Sequence, residues 1–396
     1  MDLTWRDHEE AFRGEARAWL TTNLTGWRAD VADPDGNIPS GDTADGFARH
    51  LAWERRLFED RWAVVSWPAE FGGRDATLWE WLIFEEEYYR AGGPQRVTQN
   101  GIFLLAPTLF EFGTPEQQAH ILPRMAAAED RWCQGWSEPG AGSDLASLTT
   151  RAERVDGGWR LDGQKTWTTR GGFCTHLFGL FRTDPDAERH RGLTYLLVPL
   201  DLPGITVRGF GRLDGDEGFA EVFFDGAFLA DDAVPGGVVL GEVGQGWNVA
   251  MATTSSERGL TLRSPGRFLA VADRLIRAWQ RQPASVRAAR GDLRDRVTQG
   301  WIEARAYQLQ TLQTVTETVA GRSAGAASSL VKLWWSELDV GLHETALDLV
   351  GFDQAAAADD AWWKGWQFSL SGPIYAGTNE IQRNIAAERV LGLPRK

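Results

Sequence analysis

Residues 132–169 read WCQGWSEPGAGSDLASLTTRAERVDGGWRLDGQKTWTT, and the pattern of the chain changes within them. Short runs rich in Thr, Val, Phe and Trp replace the longer helical periodicity of the first third. Turn-forming pairs separate these runs: Asp156-Gly157, Asp162-Gly163 and, further along, Asp214-Gly215. Because β-branched and aromatic runs between Asp-Gly pairs are typical of antiparallel strands, a β domain is predicted to begin here.

Six segments after the start of this region have the length and composition of strands. They are Leu148 to Val155, Trp159 to Leu161, Thr175 to Arg182, Leu193 to Pro199, Ile205 to Gly209 and Ala220 to Phe224. Gly163 to Thr169 is also interpreted as a strand, following a Gly turn.

The segments on both sides of this region are helical in pattern. Before it, apolar residues recur every three or four positions, as in Phe12, Ala16 and Leu20 and again in Trp81, Phe84 and Tyr88. Thr114-Pro115-Glu116-Gln117 has a hydroxyl cap, a Pro in the first turn and a Gln three residues after the cap, which predicts a helix start. Pro123 is expected to end or kink that helix.

After the strands, a Gly-rich joint at 241–246 leads into a long helical pattern that starts near Trp247 and breaks at Pro283 and Gly321. Helices, strands and helices follow one another in blocks, which indicates an α+β protein rather than alternating βαβ units. We predict an N-terminal all-α domain (1–130), a middle antiparallel β domain (131–243) and a C-terminal helical-bundle domain (244–396).

Composition and charge exclude several classes of function. With 43% hydrophobic and 24% charged residues among 396, the chain is globular in composition. The net charge of −14 and the lack of a Lys/Arg-rich block argue against nucleic acid as a partner. The apolar runs are too short to span a membrane and the N-terminus lacks the order of a signal peptide, so a cytoplasmic location is expected.

Metal binding is not expected either. The two cysteines, Cys133 and Cys174, belong to no cluster with metal-ligand spacing, and the six histidines are scattered and receive no role.

Three segments could carry chemistry. In residues 134–145 a strand runs into a loop whose glycines let backbone amides approach a flat polar ligand, although glycines alone also suit a solvent loop. Residues 163–169 place Trp167 among hydroxyls on a strand, where an aromatic is often simple packing. In residues 375–383, Gly377 and Thr378 precede a helix, which suits an oxyanion site or an ordinary helix cap.

Taken together and in this order, these segments resemble the acyl-CoA dehydrogenase family, through SEPGAGSD at 137–144 and YAGTNEIQR at 375–383. The resemblance covers essentially the whole chain and implies FAD as cofactor. It implies flavin or ribityl-pyrophosphate contacts for four residues: Gln134, Trp136, Ser137 and Ser143. It further implies that Trp167 packs on the ring, that Thr169 lies near N5, and that Thr378 and Glu380 lie near the phosphate and ribose.

The resemblance also bears on the base that removes the α proton of an acyl thioester while hydride leaves the β carbon. Many members place a Glu directly before the Gly-Thr of the last motif, but here Ala376 stands there and offers only its backbone N–H to the thioester carbonyl. Members with Ala or Gly at that position supply the Glu from a C-terminal-domain helix, directly before an Arg. Glu257-Arg258 matches that pattern, so Glu257 is the candidate base.

The chain departs from homotetrameric members where they hold the ADP half of a neighbour's FAD. The Arg-x-x-Phe-Gly element is absent from 278–286, and the Gln-x-x-Gly-Gly site reads Asp348-Leu349-Val350-Gly351-Phe352. An Asp facing a pyrophosphate is expected to be repulsive. A homo-oligomer is therefore in doubt, and an α2β2 heterotetramer with a second acyl-CoA-dehydrogenase-like chain is the alternative, as in bacterial relatives of sterol side-chain degradation.

Several alternatives stay open at this point. The carrier is CoA or an acyl carrier protein, the acyl group is unspecified, and an electron-transferring flavoprotein is the acceptor implied by the resemblance. The competing functions are a flavin monooxygenase or N-hydroxylase on the same fold, and a non-catalytic subunit that completes a partner's site. Glu257 argues against both.

Overall fold

The structure, a computed structural model, describes residues 4–32, 38–258, 264–322, 325–357 and 361–394, without the side chains of residues 255–258 and 357. The helices are α1 (Asp7–Val31), α2 (Ala44–Glu59), α3 (Leu78–Arg90), α4 (Ala106–Phe112), α5 (Pro115–Ala126), α6 (Gly246–Arg258), α7 (Pro265–Arg281), α8 (Ala284–Ala289), α9 (Gly291–Val319), α10 (Ser328–Val350), α11 (Phe352–Ala357), α12 (Ala361–Ser369) and α13 (Asn379–Ile385). The strands are β1 (Trp132–Gly135), β2 (Arg151–Val155), β3 (Gly158–Thr169), β4 (His176–Arg182), β5 (Leu193–Pro199), β6 (Ile205–Phe210) and β7 (Phe219–Ala230).

The order of helices, strands and helices confirms the predicted α+β class. The chain divides into two compact units. One contains residues 1–26, 77–94 and 258–396, and the other contains residues 27–76 and 95–257. None of the described helices is long and apolar enough to cross a bilayer.

The second unit is built on a seven-stranded sheet with the order β1-β4-β2-β3-β7-β6, and β5 pairs with β4. Most pairs are antiparallel as predicted, but β1 runs parallel to β4 from Trp132↔His176 to Gly135↔Gly179, and β2 meets β4 in parallel at Arg151↔Arg182. β3 and β7 form the longest ladder. Leu177, Phe178, Leu180 and Phe181 of β4 are fully buried, and each contributes roughly 1.5–3 kcal/mol by leaving water.

Each predicted strand segment contains a strand, but β2 begins at Arg151 rather than Leu148 and β7 continues to Ala230 rather than ending at Phe224. One predicted turn is wrong. Asp162-Gly163 is not a turn, because β3 continues from Gly158 to Thr169 through a register shift between Leu161 and Gly163. Gly163 has φ +135° and borders the point where β7 has an extra residue, so a register shift inside the ladder occurs at the glycine that was expected to form a turn.

Local signals also fix the helix ends. Thr114 and Gln117 form a reciprocal capping box at the start of α5, as predicted. Pro123 neither ends nor breaks this helix, which continues to Ala126. The expected breaks occur, because α7 ends at Arg281 before Pro283 and α9 ends at Val319 before Gly321, which has φ +76°.

The first unit is a helical bundle in which α7, α9 and α10 share one apolar core. Phe268 of α7 packs edge-on against Tyr307 of α9 at 5.3 Å between ring centroids. α3 and α1 add a buried ionic cluster in which Glu87 accepts hydrogen bonds from Arg13 at 3.2 Å and from Arg17 at 2.9 Å.

Candidate active site

The first group of predicted site residues follows β1 in the second unit. Gln134 is half-buried on β1, and Trp136, 8% exposed, packs edge-on against Tyr195 at 6.4 Å. Gln134 Nε2 and Trp136 Nε1 are both buried and have no hydrogen-bond partner among the described residues. Because a buried donor without an acceptor is costly, two such donors only two residues apart in the chain indicate a place where a polar ligand is received.

Residues 136–145, here called the glycine-rich loop, lie beside β3. The Thr166 N–H donates to the Ser137 carbonyl at 2.9 Å, which brings the loop and the strand together. Ser143 is exposed, and nothing lies within 4 Å of where a Cβ would stand on Gly140 or Gly142. The outer part of the loop is therefore open to an approaching ligand.

A buried ion pair, which was not predicted from the sequence, anchors this loop. Lys165 Nζ donates to Glu138 Oε1 at 2.8 Å, and the Lys165 side chain is completely buried. Glu138 also accepts hydrogen bonds from the backbone N–H groups of Thr149 and Thr150 at 2.7 and 2.9 Å. The first link therefore joins the loop to β3, and the others join it to the segment that precedes β2.

The ion pair perturbs both titrations. Burial alone would raise the pKa of Glu138, but Lys165 and the hydrogen bonds outweigh it and lower that pKa to about 2. Burial lowers the pKa of Lys165 to about 8 in spite of the attraction of Glu138. The pattern on β3 contained a signal for this pair, because Lys165 shares the strand's alternation with the buried Trp159 and Leu161.

Trp167 occupies an unusual backbone position on β3. It lies in a second register shift, between Lys165 and Thr168, and has φ +57°. A left-handed non-glycine residue costs roughly 1–3 kcal/mol and is typical of functional sites. Its side chain is nevertheless 60% exposed, and the ring packs edge-on against Phe210 at 5.3 Å and Phe219 at 5.6 Å.

The two residues after Trp167 complete the end of β3. Thr169 is half-buried and opposite Phe219 in the ladder, and Thr168 Oγ1 is buried with no partner within the described part of the chain. The structure therefore gathers six predicted residues on the glycine-rich loop and the adjoining ends of β1 and β3: Gln134, Trp136, Ser137, Ser143, Trp167 and Thr169.

The other predicted residues lie in the first unit. Ala376 and Gly377 have φ +57° and +80°, and Gln382 Nε2 donates to both of their carbonyls, at 3.0 and 3.2 Å. Thr378 caps α13 by accepting the Ile381 N–H at 3.3 Å, which confirms the predicted helix start. Glu380 is exposed, and its own backbone N–H and the Thr378 side chain lower its pKa.

A buried lysine that the sequence did not indicate supports this segment from α10. Lys332 Nζ donates to Asn379 Oδ1 at 2.7 Å, and Ser336 Oγ donates to the same oxygen at 3.1 Å. Lys332 is fully buried, and Asn379 is 4% exposed. The start of α13 is thus fixed by polar contacts as well as by its cap.

Glu257 and Arg258 end α6, and their side chains lie outside the described residues. One helical turn earlier, the fully buried Thr253 anchors the helix within the second unit. Its hydroxyl lies 2.8 Å from Thr108 Oγ1 and 3.2 Å from the Tyr195 hydroxyl. These contacts hold α6 in place one turn before Glu257.

Asp348, expected to face a pyrophosphate, forms an ion pair with Arg296 of α9, and the two side chains are 55% and 42% exposed. The paired arginine reduces the net negative charge at a position where an isolated carboxylate was expected to repel a pyrophosphate.

Comparison with known proteins tests the resemblance. Models of the acyl-CoA dehydrogenase N-terminal, middle and C-terminal domains match residues 6–129, 133–227 and 244–391. The chain is similar to acyl-CoA dehydrogenase IpdE1 of Mycobacterium tuberculosis, with 40% identity over 390 residues and 98% coverage of each chain.

Two solved structures are similar over the full length of both chains compared, each with 25% identity and a TM-score of 0.81. They are the ChsE4–ChsE5 complex from Mycobacterium tuberculosis and the Tcur3481–Tcur3483 steroid ACAD. With family matches in all three domains and 40% identity over nearly its whole length, the chain belongs to the acyl-CoA dehydrogenase family, a family of FAD-dependent oxidoreductases.

Proposed function

We propose that this chain carries out the α,β-dehydrogenation of an acyl thioester, giving the 2-enoyl thioester. The observation that supports this most is Trp167, an exposed aromatic held in a left-handed bulge beside buried donors that have no partner in the described structure. Such strain is retained where a side chain must be presented in one orientation. When bound, FAD supplies the acceptor for the hydride that leaves the β carbon.

The residues present fit FAD. Gln134 Nε2 and Trp136 Nε1 are donors available to the oxygens and nitrogens of a flavin, and Trp167 offers an aromatic face to its ring. The open glycine-rich loop and exposed Ser143 suit the ribityl-pyrophosphate arm. Thr169 would hold the region of N5, and Thr378 and Glu380 the phosphate and ribose portion.

The proton chemistry is assigned to Glu257, with Arg258 beside it. Ala376 cannot accept a proton, so a carboxylate must come from elsewhere, and Glu257 follows the well-anchored Thr253 by one helical turn. The backbone N–H of Ala376 would polarise the thioester carbonyl, where negative charge develops as the α proton leaves. Removal of that proton and stabilisation of that charge are thus divided between two segments.

The substrate and the partner are proposed from the likeness to proteins described as steroid ACADs or solved as two-chain complexes. We propose a bulky, ring-bearing acyl group on CoA or an acyl carrier protein, because Ala376 leaves its side of the pocket without a long side chain. We also propose an α2β2 assembly with a second acyl-CoA-dehydrogenase-like chain, and an electron-transferring flavoprotein as acceptor.

Anaerobic titration with acyl-CoA thioesters of increasing bulk tests the reaction. Loss of flavin absorbance is expected with the preferred thioester, and Glu257→Gln should keep its flavin but slow this bleaching by about 10²-fold or more. Glu242→Gln, at an exposed glutamate before α6, is the matched control and should bleach normally. Unchanged kinetics in Glu257→Gln would remove Glu257 from the mechanism. A flavin that no thioester reduces would favour the monooxygenase alternative.

Flavin content tests the assembly. The chain expressed alone is expected to carry well under one FAD per chain, and co-expression with the second chain should restore it. A full complement of FAD on the chain purified alone would contradict the heteromeric assembly. Absence of flavin in both preparations would support a non-catalytic role.

A further inference from the structure

A buried ionic cluster lies in the second unit, apart from the residues assigned to the cofactor. Asp42, just before the cap of α2, accepts hydrogen bonds from Arg170 Nε and Arg212 Nη1, both at 2.5 Å and on different carboxylate oxygens. All three side chains are about nine-tenths buried. Arg212 also donates to Asp214 at 2.7 Å. One carboxylate therefore joins two arginines from different parts of the sheet.

Each arginine fixes a different piece of backbone. Arg170 directly follows β3, has φ +56°, and donates its N–H to the Gly218 carbonyl at 2.9 Å. Arg212 lies in the β6–β7 connection, residues 211–218, and donates its N–H to the Asp216 carbonyl at 2.9 Å. Asp42 thus holds the end of β3 and the β6–β7 connection in one arrangement.

These two pieces of backbone are the immediate supports of Trp167. Phe210 ends β6 and Phe219 begins β7, so the residues that pack on the indole flank the connection that Arg212 holds. Arg170 lies three residues after Trp167 on the same strand end. Asp42 therefore supports the indole in two ways, through Arg170 after β3 and through Arg212 in the β6–β7 connection.

The turn that carries Asp42 is itself well fixed. The Asp42 N–H donates to Ser40 Oγ at 3.2 Å, and Thr43 Oγ1 accepts the Gly46 N–H as the cap of α2. Burial favours the neutral carboxyl of Asp42, but Arg170 and Arg212 outweigh it and hold its pKa below the usual range. The carboxylate is therefore ionised at neutral pH.

We propose that Asp42 is a positioning residue for the flavin site, acting through Arg170 and Arg212 to hold Trp167 in the left-handed conformation that presents its indole to the cofactor. This rests on the proposed function only in assigning the flavin to Trp167. Its consequence is that the N-terminal segment controls the flavin environment without touching the cofactor.

The test is a double-mutant comparison on the flavin-loaded protein, with the second chain present where flavin binding needs it. Asp42→Asn and Trp167→Phe are made singly and together, and the emission and visible circular dichroism of the bound flavin are measured. An indole stacked on a flavin quenches its emission, so both single variants should raise the emission per bound flavin. Asp42→Asn should have no further effect in the Trp167→Phe background.

The matched control is Asp231→Asn, which breaks an exposed pair with Arg154 beyond the far end of β7 and should leave the flavin signals unchanged. Where Asp42→Asn does not fold, Arg212→Gln replaces it, because it removes one of the two arginine contacts of Asp42 and leaves the contact with Arg170. Thioester-dependent flavin reduction should also slow by about 10- to 10²-fold in Asp42→Asn, as for a small misplacement of a reacting partner.

Two results would overturn the proposal. One is an equal change in the wild-type and Trp167→Phe backgrounds, and the other is wild-type flavin signals in Asp42→Asn or in its replacement Arg212→Gln. Flavin signals that respond as expected in a protein that no thioester reduces would leave the positioning role standing and reject the proposed dehydrogenation.

Discussion

Replacing Lys165 by Met probes the buried ion pair that anchors the glycine-rich loop. The pKa of Glu138 is about 2 instead of 4.5, and that of Lys165 is about 8 instead of 10.5. At about 1.4 kcal/mol per pKa unit, each shift corresponds to roughly 3 kcal/mol between protonation states. The two contributions have opposite signs, which decides what each variant should do.

The lowered pKa of Glu138 stabilises the fold above pH 4.5, and this contribution is lost as the pH falls toward 2. The lowered pKa of Lys165 destabilises the fold below pH 8, and this cost disappears as the pH rises from 8 to 10.5. Near pH 7 the two contributions offset each other. The intact pair is therefore close to neutral for stability, as buried ion pairs often are.

Removing only Lys165 leaves a buried carboxylate without its cation, so Lys165→Met should lower the free energy of unfolding by about 3–5 kcal/mol at pH 7. The deficit should shrink as the pH falls toward 4.5, the ordinary value of the Glu138 pKa, because protonation removes the uncompensated charge. Glu138→Gln/Lys165→Met removes both charges and should regain most of the loss.

Urea titration followed by Trp fluorescence measures these free energies at pH 7 and pH 5. A single variant as stable as the wild type, or a double variant as unstable as Lys165→Met, would show that the two charges are not coupled as the geometry indicates.

Two further predictions concern the first unit. Asn379→Leu removes the oxygen that accepts hydrogen bonds from buried Lys332 and Ser336. The free energy of unfolding should fall by about 1–3 kcal/mol, which lowers the urea midpoint. An unchanged midpoint would contradict the contact. Arg296→Ala breaks the exposed ion pair with Asp348 and should lower the free energy of unfolding by under about 1 kcal/mol. Because salt screens exposed charges, the difference from the wild type should disappear in high salt. A difference that persists in high salt would mean that the arginine stabilises by packing rather than by its charge.

Local chemistry made much of the fold predictable. The periodicity of Phe12, Ala16 and Leu20 and the cap at Thr114 depend only on neighbours within one or two turns, and α1 and α5 follow them. These local patterns do not specify which distant strands pair with each other. The parallel contact of β1 with β4 joins strands more than 40 residues apart, and nothing within either strand specifies its direction.

The same Asp-Gly pair in the sequence corresponds to two different structures in this protein. Asp156-Gly157 is the turn that was predicted, with φ +74° at Gly157, whereas Asp162-Gly163 lies inside β3. Both glycines need a positive φ, but at Gly163 a Cβ would lie 2.8 Å from the Thr150 Cα, so a close backbone approach requires the residue. Only the neighbouring chain distinguishes a bulge from a turn.

The site could be predicted where its motifs are contiguous and not where they depend on distant charges. Glu138 and Lys165 are 27 residues apart, and Asp42 and Arg170 are 128 apart. Charged residues of these types are common on protein surfaces, so only their burial in the structure identifies these four as supports of the site. The motifs therefore indicate which side chains face the ligand, and the fold adds those that hold them.

The pairing of Asp348 with Arg296 changes the argument about assembly. An uncompensated Asp would have repelled a neighbour's pyrophosphate, but a compensated pair presents both an acceptor and a cation on the same surface. The missing Arg-x-x-Phe-Gly element still removes a cation that homotetrameric relatives are expected to use. The proposal of an unlike partner therefore rests on that missing element and on the likeness to two-chain complexes, and Arg296, which pairs with Asp348, is a cation that this chain could itself offer to an anionic group.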